Sequence, residues 1–372
     1  MDKIKRYVNL YIPVTTCTLR CHYCYITHHR LFEGPLPELK YSAEQVRKAL
    51  SKARLGGVSL INICGGGETL LPPKVLEYVK ALLEEGHYVM IVTNATLTKR
   101  FDEIAKWPPQ LTNHLFFKFS YHYLQFKERG LFDTVFSNIR KVRDAGCSFT
   151  LEVTPSDELI PYIQELTDLA VKEVGAVPHV TIARDERDPS KLPILTDMDK
   201  DDYNKTWDVF HSQLFDYKKT IFNVKRHEFC YAGDWSFLVN AATGNMSQCY
   251  GTPGTHNIFD HPERPIPFRA VGNHCRQHHC YNGHGFLVLG CIPDLYDGMP
   301  TYADLRNRVT VDGREWLQPE MKTIMSSRLG ESNEEYSDGK KRLTNIRNLI
   351  SWNLCDWKAP LRPLYHSLLK KK

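Results

Sequence analysis

Apolar residues in the first half of the chain follow two alternating rhythms. The runs VNLYIPV (8–14), VSLINIC (58–64) and HYVMIVT (87–93) are short and dense, as in buried strands. Between them, SAEQVRKALSKAR (42–54) and PKVLEYVKALLEEG (73–86) repeat apolar positions every three or four residues, the period of an amphipathic helix. Further strands are expected at 115–120, 148–154 and 179–183, with helices over 132–145 and 159–174. Alternating strands and helices build parallel βαβ units. Six of them predict an α/β fold, an open, partial (β/α)6 barrel of the TIM-like kind, in which chemistry gathers at the C-terminal ends of the strands.

The pattern then changes. Pro and Asp crowd 192–200, a helix is expected over 202–217, and beyond Phe222 the helical period gives way to Cys, His, Gly and Asn from Cys230 to Cys291. A boundary near Thr220 divides the chain into a barrel (1–219), a C-terminal cysteine-rich domain (220–300) and a helical tail (301–372) that is expected to pack back on the body. In that tail Arg306, Arg308, Glu315 and Trp316 could line a pocket or form the solvated face of a helix, and the latter is preferred.

Charge narrows the partners. Forty-eight Lys and Arg against 43 Asp and Glu give +5 over 372 residues, and no polybasic arm stands out apart from the terminal Lys370–Lys372, so neither nucleic acid nor an anionic membrane is expected as the main partner. The aromatic stretch FFKFSYHYLQF has no basic stripe beside it and reads as core. Neither a signal peptide nor a transmembrane run is apparent, which predicts a cytoplasmic protein. Thiols stay reduced there, so eleven cysteines point to metal before disulfides.

Cys17, Cys21 and Cys24 form a C-x3-C-x2-C run directly after the first strand. Three thiolates can hold three irons of a [4Fe–4S] cube and leave the fourth open to a ligand. Zinc is the alternative, with His22 as fourth ligand. The run TTCTLRCHYCYI, with aromatic Tyr23 before its last cysteine, resembles the cluster motif of the radical S-adenosylmethionine (SAM) superfamily.

That resemblance extends through the later strand ends. Gly66, Gly67 and Glu68 match the family's Gly-Gly-Glu segment, which receives the methionine amino group of SAM; Thr69 replaces the usual proline. Asn94 lies in a Thr-Asn-Gly-like segment with Ala95 for glycine. Ser120 matches a ribose-contacting serine, followed by Tyr121 and His122 instead of Leu-Asp. Asn94 and Ser120 could equally cap helices. Glu152, Thr154 and Arg184 occupy comparable strand ends, with Glu152 and Arg184 taken as further cofactor contacts. The resemblance implies a [4Fe–4S] cluster, SAM, and an electron donor such as flavodoxin or ferredoxin.

A second group of cysteines resembles the SPASM and twitch extensions of the same superfamily. Cys230 and Cys249 flank a segment in which Gly244 supplies the positive φ of a hairpin turn. Cys275, Cys280 and Cys291 follow as C-x4-C-x10-C, a departure from the full SPASM pattern. Five nearby cysteines suffice for one cluster with one thiol over, which favours a single, twitch-like auxiliary [4Fe–4S] cluster on Cys230, Cys249, Cys275 and Cys280, with Cys291 as rival fourth ligand. Zinc is again the alternative, and His274, His278, His279 and His284 read as surface or supporting residues.

Cys64 is a candidate hydrogen-atom donor or a buried structural cysteine. Cys147 is expected at the end of the barrel away from the chemistry, and Cys355 is unassigned. Three functions remain open. The first is modification of a peptide by crosslinking, oxidation or epimerisation, although no leader-peptide-binding domain is apparent before the first strand. The others are a dehydrogenase or epimerase of a small polar sugar or aminocyclitol, and a non-catalytic zinc-binding protein.

Overall fold

Six strands run parallel in the computed structural model, which describes residues 3–187, 192–277, 279–280 and 283–358. They are β1 (Arg6–Ile12), β2 (Ser59–Gly65), β3 (Tyr88–Thr93), β4 (Leu115–Ser120), β5 (Ser148–Val153) and β6 (His179–Val180). Each pairs with the next in sequence order, and the sheet stays open. This is the expected partial barrel, with one extension. β7 (Ser236–Asn240) lies parallel to β1, and β8 (Asn245–Ser247) and β9 (Gly254–Asn257) continue antiparallel from it. The cysteine-rich segment therefore grows out of the barrel's own sheet. Its turn uses Gly244 at φ 71°, as the hairpin spacing requires.

The two faces of the sheet differ. Val8, Leu10, Ile61, Ile63, Val89, Ile91, Phe117, Phe119 and Leu151 point to one side, where the helices Lys74–Glu84 and Phe132–Asp144 bury them. Tyr7, Leu60, Met90 and Phe116 point to the other and are covered by Phe286–Leu289 and by Tyr302, Leu305 and Met321 from the tail. Polar residues on this inner face, Asn9, Asn62, Lys118 and Glu152, pair among themselves or with the tail.

Two expected helices are each broken. The first divides into Ala43–Ala49 and Lys52–Leu55, because Ser51 turns extended and the Glu85 carboxylate accepts from the Lys52 amide at 3.0 Å. The second divides into Lys200–Asp208 and Gln213–Ile221 around His211, at φ 44°, and Ser212. The Ser212 hydroxyl accepts from the Val180 amide and caps the second piece, so contact with β6 decides the break. β6 itself covers only the first part of the expected 179–183.

The described part of the tail, 301–358, packs on the body, and Arg306 and Trp316 do not form a solvated helix face. Arg306 and Trp316 are fully buried, and the Trp316 indole donates to the Val174 carbonyl. Arg306 lies on the inner face because the Glu152 carboxylate there draws its guanidinium inward.

Candidate radical SAM site

The C-terminal ends of β1 to β4 deliver the cysteine loop, the glycine segment, Asn94 and Ser120 to one cavity of about 170 Å3. Cys17, Cys21, Cys24, Gly66, Gly67, Glu68, Asn94, Ser120 and His122 all line it. Burial pushes the three thiols up, Cys21 most of all. Iron would reverse this, since a coordinated thiol is deprotonated outright.

The glycines serve the cysteine loop directly. The Gly67 amide donates to the Val14 carbonyl at 2.6 Å and the Glu68 amide to the Thr16 carbonyl at 3.0 Å, so the two loops lie backbone to backbone. A Cβ on Gly67 would overlap the Thr16 carbonyl, and one on Gly66 would stand 2.7 Å from the Tyr25 hydroxyl.

Glu68 is buried, and its carboxylate accepts from the Leu70 amide (3.1 Å), the Thr93 hydroxyl (2.7 Å) and the Asn94 amide (2.9 Å). Burial still pushes its pKa up against these donors, a state that a neighbouring ammonium would relieve. Asn94 reaches the Cys17 sulfur at 3.7 Å and the Thr18 hydroxyl at 2.9 Å. The following Ala95 adopts φ 61°, the left-handed conformation that glycine takes at no steric cost, and the Asn138 amide holds its carbonyl. The Tyr23 hydroxyl bonds His122 Nδ1 at 2.6 Å. His22, the possible zinc ligand, pairs with Glu158 at 2.8 Å instead.

Two expected cofactor contacts lie elsewhere. Glu152 sits on the inner face with its oxygens engaged by Lys118, at 3.0 Å, and Arg306. Arg184 lines a neighbouring cavity of about 360 Å3 and pairs with Glu186 at 3.1 Å. That second cavity also holds Tyr23, Cys24, Lys118, Lys218, Cys280 and His284, so it touches both cysteine groups. Lys118 and Lys218 escaped the sequence reading. A lone lysine inside the apolar strand LFFKFS was the available signal for Lys118; Lys218 carried none.

Cys230, Cys249, Cys280 and Cys291 gather in one apolar cluster, and Cys275 joins Cys230 and Cys249 in a smaller one. Burial raises the Cys249 thiol first, and the neighbouring Cys280, Cys275 and Cys291 raise it further. Cys291 is wholly buried, 3.1 Å from the Ser236 hydroxyl. Because Ser236 opens β7, Cys291 lies toward the opposite end of the strands from Cys17, whereas Cys280 lines a cavity together with Cys24. Among the described residues, no three His, Cys, Asp or Glu side chains converge as a single ion would require. Thiolates on a cube bind different irons and need not converge.

His279 is buried against Phe222, His274 is exposed, and His278 and the Cys355 side chain lie outside what is described. Cys147 is buried just ahead of β5, at the end away from the first cavity. Cys64 is half-buried at the end of β2.

The radical SAM superfamily model matches residues 11–169. Those residues run from the end of β1 through β5 and include every residue that lines the first cavity. This segment is a radical SAM domain, an enzyme domain. A [4Fe–4S] cluster and SAM follow from the family. No curated protein matches the sequence. Among solved structures, the chain is similar to SuiB from Streptococcus suis, with 17% identity over 69% of this chain and a TM-score of 0.47. It spans 64% of the length of that protein. It is also similar to anSMEcpe with bound AdoMet and Cp18Cys peptide, at 14% identity over 68% of this chain and 78% of the other, TM-score 0.46. A third similarity is to BtrN in complex with AdoMet and 2-DOIA, at 14% identity over 76% of this chain and 99% of the other, TM-score 0.35. Among the described residues no helix is long and apolar enough to cross a membrane.

Proposed function

We propose that the protein reductively cleaves SAM and abstracts hydrogen from a peptide, modifying it by crosslinking, oxidation or epimerisation. The observation that carries this reading is the single cavity shared by Cys17, Cys21, Cys24, the Gly66–Glu68 segment, Asn94 and Ser120. Bound there, the cluster and SAM supply a 5′-deoxyadenosyl radical able to attack an unactivated C–H bond. Cys17, Cys21 and Cys24 hold the cluster, and Glu68 pairs with the amino group of the cofactor. Asn94 and Ser120 fix its orientation, and the inner face keeps solvent out.

The auxiliary site is assigned one [4Fe–4S] cluster on Cys230, Cys249, Cys275 and Cys280, with Cys291 beside it as the rival ligand. Flavodoxin or ferredoxin would supply electrons. The peptide reading rests on the resemblance of this cysteine-rich extension to SPASM and twitch units. A single-cluster extension favours a second reading, dehydrogenation or epimerisation of a sugar or aminocyclitol, with Cys64 as hydrogen donor in an epimerase.

Anaerobic reconstitution tests the assignment. About eight irons per chain and dithionite-dependent release of 5′-deoxyadenosine are expected. Replacing Cys17, Cys21 and Cys24 together abolishes the release; release that survives places the cofactor elsewhere. Replacing Cys230 and Cys249 removes about four irons and leaves the first cluster. Zinc in place of iron, with no 5′-deoxyadenosine, would establish the zinc-binding alternative. Deuterium transfer from labelled peptides or sugars into 5′-deoxyadenosine separates the two substrate classes.

A further inference from the structure

The cavity between the two cysteine groups is lined by basic side chains whose charge burial disfavours. Three cations line it, Lys118, Arg184 and Lys218, against one carboxylate, Glu186. Lys118 is matched by Glu152 and Arg184 by Glu186. Lys218 differs. Its ammonium donates to the Thr181 hydroxyl, and among the described residues it forms no ion pair. Burial pulls its pKa well down, and Lys118 and Arg184 add to that; no acidic group opposes them. His284, on the same wall, has a buried Nδ1 with no hydrogen-bond partner among the described residues. A buried ammonium without a counter-charge is costly, and an anion entering the cavity would relieve it.

We propose that this cavity seats an acidic side chain of the substrate, its carboxylate paired with Lys218 and hydrogen-bonded by Thr181. This rests on the peptide reading and adds the chemical class of the residue held between the two cysteine groups. Cys24 and Cys280 both line the cavity, so the carboxylate fixes a peptide segment beside the first cluster's loop on one side and the auxiliary cysteines on the other. The entering carboxylate favours the protonated form of Lys218 that burial alone disfavours, and the ammonium and the Thr181 hydroxyl already stand in hydrogen-bond contact to receive it.

The test uses reconstituted full-length protein with SAM present. Fluorescein-labelled Gly/Ser hexapeptides with a central Glu are compared with the same peptides carrying Gln, by anisotropy, with glutarate as a small competing anion. Lys218→Met and Lys218→Arg are measured beside the wild type, with iron content and thermal midpoint reporting folding. At least tenfold tighter binding of the Glu peptide is expected, lost in Lys218→Met and largely kept in Lys218→Arg. If glutarate binds in a Lys218-dependent way and neither peptide does, the anion site stands and the peptide reading fails. If Glu and Gln peptides bind equally and Lys218→Met changes neither, the peptide reading stands and the anion site is overturned. Silence from both peptides and glutarate overturns both. A Lys218→Met variant that loses SAM affinity, or shifts a cluster's reduction potential, while binding the Glu peptide normally assigns Lys218 to the cofactors and overturns the proposal.

Discussion

At the scale of single residues, two buried carboxylates do different work. Glu68 is held by three donors that come with its own loop and the next strand, all of them favouring the ionised carboxylate. Glu68→Gln can keep the bonds from Leu70 and Thr93 on its remaining oxygen, loses the acceptor for the Asn94 amide, and removes the attraction for an ammonium. SAM affinity should fall tenfold or more, with iron content unchanged, measured by equilibrium binding to the reconstituted protein. Glu152 is instead one member of a buried charge group with Lys118 and Arg306. Burial pulls Lys118 down to about 7, and the neighbouring Arg306 adds to that. Arg306→Met leaves this carboxylate short of a partner and should cost about 3 kcal/mol in urea unfolding, whereas Glu152→Met with Arg306→Met recovers much of the loss. Glu152 was readable as a strand-end acid. Its partner, more than 150 positions away, was not, because no local pattern in the tail distinguishes a buried arginine from a solvated one.

At the scale of elements, the first cavity is a junction between two loops. Gly67 meets the Thr16 carbonyl where a side chain has no room, so Gly67→Ala must push the cysteine loop away from β2. The expected outcome is a loss of about 1–3 kcal/mol of stability together with reduced iron at the first site, read by thermal unfolding and iron analysis. The Gly-Gly-Glu segment was legible from sequence, and so was its place after β2. The reason for the glycines was not, since it depends on two loops that meet only when β1 and β2 pair. The broken helices show the same limit. Their apolar period is continuous, and the breaks are made by Glu85 and by the β6 backbone, which lie outside them.

At the scale of the molecule, buried histidines link the fold to pH. His87 accepts from the Ser59 amide through Nδ1 and bonds the Leu50 carbonyl through Nε2, which joins the first helix to two strands in its neutral form. Burial lowers its pKa from 6.5 to about 4. A lowered histidine binds fewer protons in the folded state, so its contribution is complete above pH 6.5 and is lost as the pH falls from 6.5 toward 4. The loss approaches ~3 kcal/mol for a fully buried ring. His179, lowered to about 3, acts in the same direction. Urea midpoints should therefore decline below pH 6.5, and His87→Gln, less stable at neutral pH, should show a shallower decline.

The sequence by itself determined the alternation of strands and helices, the cysteine loop after β1, and the Gly66–Glu68, Asn94 and Ser120 strand ends. All of these depend on local periodicity and on short spacings that the chain carries within a few residues. Only the tertiary structure decided that β7 joins the edge of β1, that Arg306 reaches Glu152, and that Lys118, Arg184 and Lys218 enclose a cavity between the two cysteine groups. Those arrangements depend on which distant segments share a face of the sheet, and burial rather than spacing sets the charge that each residue carries there.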